Sequence, residues 1–243
     1  MQRLIIFFMI VMLFSTILTA DVYITIKEQR SAFYDGGRSF PAEDSIREQW
    51  IGEDKIAAIV DNLHFIFDLK ENGMIMINRS KEFYVETPLP LDMSKLLDEQ
   101  FYARVLMFQT QGTVKQTEET RKIGKWDCRK YEIETWIEFE GGRVNETIRQ
   151  VWVTTDVPFN LEKFKRTNAN AYKLNNYGEE LILALKEMKG YQILSETTTY
   201  SRGDERKSSQ EVIEILEKEP PEEIYSIPEG FTKKEKLSQQ DFS

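Results

Sequence analysis

The 243-residue chain has one cysteine, Cys128, and one histidine, His64. A single cysteine cannot form a disulfide within the chain, and one cysteine with one histidine cannot build a zinc site of the usual Cys and His kind. A Ser-His-Asp triad would have to use His64, which opens the apolar run HFIFDL and is typical of a half-buried strand residue. Cys128 begins a well-patterned strand, so we expect its thiol to be buried and poorly reactive.

The chain also lacks the short motifs of phosphate, dinucleotide and serine chemistry. No G-x-x-x-x-G-K-[ST], G-x-G-x-x-G or G-x-S-x-G occurs. The carboxylates are many but scattered, and no pair stands out as an acid/base couple. The sequence therefore predicts a protein that is not an enzyme and needs no metal or cofactor. A hydrolase that uses carboxylates is the weakest of three hypotheses.

Positive charge is scarce relative to negative charge. The formal net charge is −9, and it becomes −10 if a leader containing Arg3 is removed. Nucleic-acid binding requires clustered Lys and Arg against the phosphate backbone, so this balance argues against a nucleic-acid partner.

The N-terminus has the pattern of a secretory signal peptide. Arg3 precedes an apolar run from Leu4 to Leu18, and Thr19-Ala20 lead into the charged Asp21. This pattern predicts a leader over residues 1–20, cleavage after Ala20, and a periplasmic or secreted protein. The alternative is an uncleaved membrane anchor, but the run is shorter than the roughly 20 residues of a spanning helix. We therefore expect that, after cleavage, this protein is not integral to the membrane.

Most of the remaining chain has the alternating pattern of β-strands. Residues 21–27 alternate β-branched and polar side chains, and Asn72-Gly73 between two apolar runs is a strong hairpin signal. Gly141-Gly142 predicts a second hairpin, and residues 191–216 predict a last one. About ten strands are expected.

Two helices are predicted. Asp92 is placed to cap a long helix from Met93 to about Thr110, whose apolar residues recur every three or four positions. Residues 179–189 predict a short helix that ends before Gly190. Residues 160–174 are ambiguous and at best weakly helical.

These elements predict the α+β class: a curled antiparallel sheet that forms an incomplete β-barrel, with the helices against its concave face. Residues 21–231 are expected to form a single domain. Residues 232–243 are polar with few apolar side chains, so they predict a flexible tail.

The order of these pieces resembles exported bacterial proteins of uncharacterised function that are similar to periplasmic lipoprotein carriers of the LolA/LolB type. The resemblance covers most of the chain after the leader, and its motifs are specific only as a set. They are Trp50-Ile51-Gly52-Glu53-Asp54-Lys55-Ile56, Phe65-Ile66-Phe67-Asp68-Leu69, Ile77-Asn78, Lys81-Glu82-Phe83-Tyr84, residues 122–131 (KIGKWDCRKY), residues 151–156 (VWVTTD) and Ile227-Pro228-Glu229-Gly230-Phe231.

The resemblance implies a half-barrel closed by helices with an apolar cavity between them, which holds acyl chains in the carriers. No functional arginine of a carrier matches a position here. The candidate residues for lining such a cavity lie on the apolar strand faces and on the helix stripe. They are Phe65, Phe67, Met93, Leu97, Phe101, Val105, Phe108, Ile133 and Ile137.

Two hypotheses from different classes remain open. In the first, the protein is a non-enzymatic envelope protein that binds lipid or a lipoprotein acyl chain in that cavity. In the second, it is a structural or protein-interaction module of the envelope, with an envelope protein as partner. Its interior is then fully packed, because bulky residues such as Phe65 and Phe101 fill the space.

Overall fold

The computed structural model describes residues 20–35, 38–201 and 203–242. The predicted leader covers residues 1–20, of which residues 1–19 lie outside the described residues. About 55% of the chain is strand and 20% is helix. The strands are β1 (Asp21–Arg30), β2 (Phe33–Asp35), β3 (Arg38–Phe40), β4 (Glu43–Ile51), β5 (Lys55–Val60), β6 (Leu63–Asp68), β7 (Gly73–Asn78), β8 (Phe83–Pro88), β9 (Thr110–Ile123), β10 (Trp126–Phe139), β11 (Gly142–Thr154), β12 (Tyr191–Ser201), β13 (Asp204–Lys218) and β14 (Thr232–Lys234).

Twelve of these strands form one sheet in the order β14-β8-β7-β6-β5-β4-β1-β13-β12-β11-β10-β9, while β2 and β3 form a separate hairpin. Strand β1 joins the two halves of the large sheet, because it pairs with β4 on one side and with β13 on the other. Ile24 in β1 is fully buried and lies opposite Ile215. The first described strand therefore lies in the middle of the sheet.

The predicted hairpins are confirmed, and their turn residues explain them. Asn72 adopts a φ of 50° between β6 and β7, and Gly141 adopts a φ of 78° between β10 and β11. Asn and Gly enter this left-handed region at little cost, which lets two strands turn back tightly. The last predicted hairpin is formed by β12 and β13.

The predicted fold class, a LolA-like half-barrel with helices, is wrong. The protein is built mainly of strand, its large sheet is open, and the helices are minor. The sheet is also mixed rather than purely antiparallel, because β14 pairs with β8 in parallel. Strands β9–β11 and β13 run to 13–15 residues, so the hairpins extend further than the turn signals alone suggested.

The structure has four α-helices in its described residues: α1 (Met93–Leu96), α2 (Glu99–Met107), α3 (Leu161–Leu174) and α4 (Glu179–Lys186). The long helix predicted from Met93 to Thr110 is therefore wrong. Leu97 is extended and bridges to Leu237, and the side chain of Asp98 caps a new helix by accepting from the Phe101 N–H at 2.7 Å. Asp92 does cap α1, as predicted.

Residues 160–174, which the sequence left ambiguous, form the longest helix described. The side chain of Asn160 accepts hydrogen bonds from the backbone N–H groups of Glu162 and Lys163, both at 3.0 Å. This cap satisfies two of the orphan donors at the start of α3. Phe164 then anchors α3 to the core, since it is 6% exposed and packs against the rings of Phe159 and Tyr191.

The C-terminal residues, predicted as a flexible tail from residue 232, are packed against the sheet in the structure. Strand β14 pairs with β8, and Leu237 is buried beside Leu97. Asp241 accepts from the N–H of Ser238 at 2.8 Å and pairs with Lys234. One buried leucine and one buried carboxylate thus fix a segment whose average composition is polar.

Three apolar clusters hold the fold together. The largest joins β1 and β4–β8 to α1, α3 and the start of β10, and it contains Cys128. A second cluster lies between β10, β11 and α4. A third, formed by Trp50, Ala57 and Ile224, lies around Tyr23 and Tyr225. None of the helices in the described residues is long and apolar enough to span a membrane.

Candidate functional site

A cavity of about 210 Å³ lies beneath α3, between that helix and strands β1, β11, β12 and β13; we call it the α3 cavity. Its apolar wall comes from both the sheet and the helices. Representative residues are Ile26, Val151, Ile193 and Val212 from the strands, and Phe164 and Leu185 from the helices. Most of these side chains are buried in the two larger clusters, so the wall is a rigid part of the core.

One side of the α3 cavity is polar. The hydroxyl of Tyr191 donates to Oε1 of Gln49 at 2.8 Å, and Nε2 of Gln192 donates to Oε1 of Gln210 at 3.2 Å. Nε2 of Gln210 approaches a carboxylate oxygen of Glu28 at 3.4 Å. The amides of Gln192 and Gln210 are therefore linked across the neighbouring strands β12 and β13, and the three glutamines have further donors and acceptors to offer a ligand.

Burial controls the chemistry of Tyr191. Removal of its phenol from water raises the pKa of Tyr191 well above the ordinary value of a tyrosine. The hydroxyl therefore stays protonated and acts only as a hydrogen-bond donor or acceptor. The ring packs edge-on against Phe159 at a centroid distance of 5.2 Å, which fixes the hydroxyl toward Gln49.

Cationic side chains lie around the same cavity. Arg149 donates to the hydroxyl of Tyr177 at 3.1 Å, and Lys165 forms an ion pair with Glu162 at 3.1 Å. Lys186 also lines the cavity, and its ammonium group has no ion pair among the described residues. The α3 cavity thus combines an apolar wall, neutral amides and positive charge, an arrangement that suits an amphipathic ligand with an anionic or polar end.

The structure brings one predicted lining residue to this cavity and places the others elsewhere. Ile133 is 2% exposed and lines the α3 cavity. Phe67 and Leu97 are 4% and 3% exposed and belong to the largest apolar cluster, against which Phe65 also packs. None of these three residues lines the α3 cavity.

The remaining predicted residues also lie outside the α3 cavity. Met93 and Val105 line a separate groove between α1, α2 and α4. The ring of Phe101 contacts Phe242 at a centroid distance of 5.7 Å. Phe108 is 39% exposed and stacks on Phe139 of β10, the strand that also carries the half-buried Ile137. A ligand-lining role for these residues stays a prediction, and the structure does not bring them together.

The sequence did not predict the amide side chains that line the α3 cavity. Gln49, Gln192 and Gln210 come from three strands that are distant in the chain, and none belongs to a motif. A register shift between Trp152 and Val153 places Gln192 opposite Val153. Simple alternation along a strand could not have shown that these three side chains face one cavity.

The described residues contain no cluster of three or more His, Cys, Asp or Glu side chains that could hold a metal ion. Cys128 is buried, as predicted, and its Sγ approaches the carbonyl of Trp126 at 3.7 Å. Burial, helped by the negative charge of Asp127, raises the pKa of the thiol to about 11.

We expect Cys128 to react slowly with thiol reagents in the native protein. At pH 8 a thiol with this pKa is ionised in about one molecule per thousand, and burial further restricts access. Labelling with a chromogenic disulfide should therefore be at least about 100-fold slower in buffer than in denaturant. Equal rates in the two conditions would contradict the buried position of the thiol.

No family model matches this chain, and no curated protein matches it. Among solved structures, one titled "Structure of PNGF-II in C2 space group" aligns with 92% of this chain and 32% of its own, at 14% identity and a TM-score of 0.38. The chain thus spans about a third of that protein. This similarity is too low to assign a fold family, and it gives no support for a LolA-like relationship.

Proposed function

We propose that this protein is a non-enzymatic binding protein of the cell envelope, and that its α3 cavity takes a small amphipathic ligand. The observation that carries the proposal is the division of the cavity into an apolar wall and a polar side with amides and cations. A ligand with a short apolar chain and a polar end would satisfy both surfaces. Each buried CH₂ group of the chain contributes about 0.8 kcal/mol.

The size of the cavity limits the ligand. Pockets for drug-sized molecules measure roughly 300–1,000 Å³. The α3 cavity measures about 210 Å³, so it favours a chain of a few carbons, or the end of a longer chain, over a whole lipid. Octanoate is therefore a suitable probe, because it joins a short apolar chain to one carboxylate.

A second candidate function is supported by a different observation. Phe67 and Leu97, expected to line a large acyl cavity, are instead buried in a packed core. This packing favours a structural or protein-interaction module of the envelope. Native mass spectrometry of the protein purified from cells separates the candidates, since an extractable bound ligand supports the first and a clean apo mass supports the second.

We expect the substitution Val151→Phe to abolish octanoate binding while changing the free energy of unfolding by less than about 1 kcal/mol. Val151 is 1% exposed and lines the α3 cavity, so the larger ring can enter the empty space. Titration calorimetry measures binding, and urea unfolding measures stability.

Val85→Phe is the matched control. Val85 is fully buried in the largest cluster and lines none of the described cavities, so the same enlargement should cost about 1–3 kcal/mol through overpacking. The control should still bind octanoate. Equal destabilisation of both variants, or octanoate binding that survives Val151→Phe, would show that the α3 cavity does not receive the ligand.

A further inference from the structure

The charged side chains that line the α3 cavity are all cationic. They are Arg149, Lys165 and Lys186, and no aspartate or glutamate of the described residues lines the cavity. The whole chain carries 41 acidic and 32 basic residues, so a lining with three cations and no anion is opposite to the charge balance of the protein. An anionic ligand would complement this lining.

Among the three cations, Arg149 has the greatest need of an anion. Lys186 is exposed, and Lys165 is paired with Glu162 at 3.1 Å. Arg149 is half-buried, and its guanidinium donates to the hydroxyl of Tyr177 at 3.1 Å but forms no ion pair in the part of the chain that the structure describes. A guanidinium has five N–H donors and keeps its charge, so most donors of Arg149 are free for another acceptor.

The sheet directs Arg149 toward the cavity. Arg149 lies on β11 opposite Ile133 of β10, and paired residues project from the same face of a sheet. Val151, two positions along β11, projects from that face as well. Both Ile133 and Val151 are buried and line the α3 cavity. The guanidinium therefore lies beside an apolar wall, where an ion pair is screened less by water than on an open surface.

Tyr177 holds the guanidinium in place. The ring of Tyr177 stacks on Tyr172 at a centroid distance of 5.9 Å and an interplanar angle of 14°. The backbone N–H of Tyr177 donates to the carbonyl of Tyr172 at 3.1 Å, and Tyr177 bridges to Thr110 at the start of β9. The hydroxyl of Tyr177 thus presents a fixed acceptor to Arg149. A side chain that is ordered before the ligand arrives loses less conformational entropy on binding.

The amide side of the cavity is less suited to an anion. Gln210 lies opposite Ser195 on β12, and Ser195 lies opposite Val151 on β11. Gln210 is therefore two strand spacings from the strand of Arg149, roughly 10 Å across the sheet. Its amide is neutral, and the carboxylate of Glu28 lies 3.4 Å from its Nε2. These positions place the anionic end of a ligand at Arg149 and leave neutral polar groups for the amides.

We propose that the α3 cavity selects a ligand with a carboxylate, and that Arg149 binds this carboxylate. This inference rests on the proposed function and deepens it by naming the anionic group and the residue that recognises it. A carboxylate is planar, and its two oxygens match two parallel N–H groups of a guanidinium. In a cavity of about 210 Å³, a carboxylate also leaves more room for the apolar chain than the larger phosphate group would.

Three probes with the same eight-carbon chain test the proposal: octanoate, 1-octanol and octylamine. Titration calorimetry should show that octanoate binds the wild-type protein at least about tenfold more tightly than 1-octanol, the effect of one charge-assisted hydrogen bond. Octylamine is cationic at neutral pH, so the three cations of the lining should make its binding weaker than that of 1-octanol.

The substitution Arg149→Gln should reduce the preference for octanoate over 1-octanol to less than about threefold, because the charge-assisted hydrogen bonds are lost. Binding of 1-octanol should be unchanged. Arg149→Lys keeps the charge but not the two parallel donors, so its preference should lie between those of the wild type and Arg149→Gln. Arg129→Gln is the matched control, because Arg129 is exposed and does not line the α3 cavity, and it should keep the full preference.

The outcomes separate this inference from the proposed function. If 1-octanol binds the wild type as tightly as octanoate does, or if Arg149→Gln keeps the full preference, the inference is overturned and the proposed function stands. If Arg149→Gln does not fold, Arg149→Lys decides, since an intermediate preference supports the inference and an unchanged one overturns it. If neither octanoate nor 1-octanol binds the wild type, both are overturned.

Discussion

The substitution Phe67→Ala is expected to lower the free energy of unfolding by about 3–5 kcal/mol. Phe67 is 4% exposed and lies on β6 between Ile56 of β5 and Met74 of β7. Those neighbours belong to the same apolar cluster and are held by the sheet, so they cannot collapse fully into the space of the lost ring. The cost then includes both the transfer of the ring and the cavity left behind.

Urea or thermal unfolding followed by circular dichroism measures this loss. Phe101→Ala serves as the control, because Phe101 lies at the edge of the same cluster, partly exposed, with its ring against Phe242. We expect the control to lose clearly less stability. A Phe67→Ala protein that is as stable as the wild type would mean that β6 faces an open space, as the acyl-cavity interpretation of the sequence required.

This comparison bears on both candidate functions. A large loss at Phe67 would show that the space expected to hold an acyl chain is occupied by the packed core. It leaves the small amphipathic ligand and the interaction module as alternatives, which the Val151→Phe protein distinguishes.

The hairpins could be predicted from the sequence because their signals are local. Asn72 and Gly141 occupy turns that need a positive φ, and their flanking strands alternate apolar and polar residues. A local pattern also identified the cap at Asp92. Each of these features is decided by residues within a few positions of one another.

The features that the sequence did not predict depend on distant contacts. The break in the long helix at Leu97 needs Leu237, which is 140 positions away in the chain and bridges to it. The same contact turns the expected tail into part of the fold. A helical stripe in isolation shows only that one face is apolar, and it cannot show where a strand-like contact interrupts the helix.

The candidate site was predictable only in part for a related reason. The sequence predicted Ile133 as a cavity-lining residue because apolar and polar residues alternate clearly along its strand. Ile133 does line the α3 cavity. Gln49, Gln192 and Gln210 meet only after β4, β12 and β13 take their places around β1, with a register shift beside Gln192. Strand order and register shifts come from the packing of the whole sheet.

His64 is expected to make the protein less stable as the pH falls from 6.5 to 4. It is fully buried on β6, and burial together with the positive charge of Arg79 lowers its pKa to about 4, although the backbone of Ile224 acts in the opposite direction. Nδ1 of His64 lies 3.4 Å from a guanidinium nitrogen of Arg79. The native protein therefore keeps this imidazole neutral under conditions that protonate an exposed histidine.

The sign of the effect follows from proton binding in the two states. Above pH 6.5 the imidazole is neutral in both the native and the unfolded chain, so it contributes no pH dependence. Between pH 6.5 and 4 only the unfolded chain binds the proton, and stability falls by about 1.4 kcal/mol per pH unit, for a total of about 3 kcal/mol. Below pH 4 both states are protonated and the loss stops growing.

The difference between wild type and His64→Gln isolates this effect, because carboxylates such as Asp241 contribute the same pH dependence in both proteins. Burial raises the pKa of Asp241, but hydrogen bonds from Lys234 and Ser238 outweigh it and hold the pKa below the ordinary value. The two proteins should differ in the slope of unfolding free energy only between pH 6.5 and 4. His64 is the chain's only histidine, so its ring proton resonance reports the midpoint directly. A midpoint near 4 agrees with the buried environment, whereas a midpoint near 6.5 would place the ring in contact with water and contradict it.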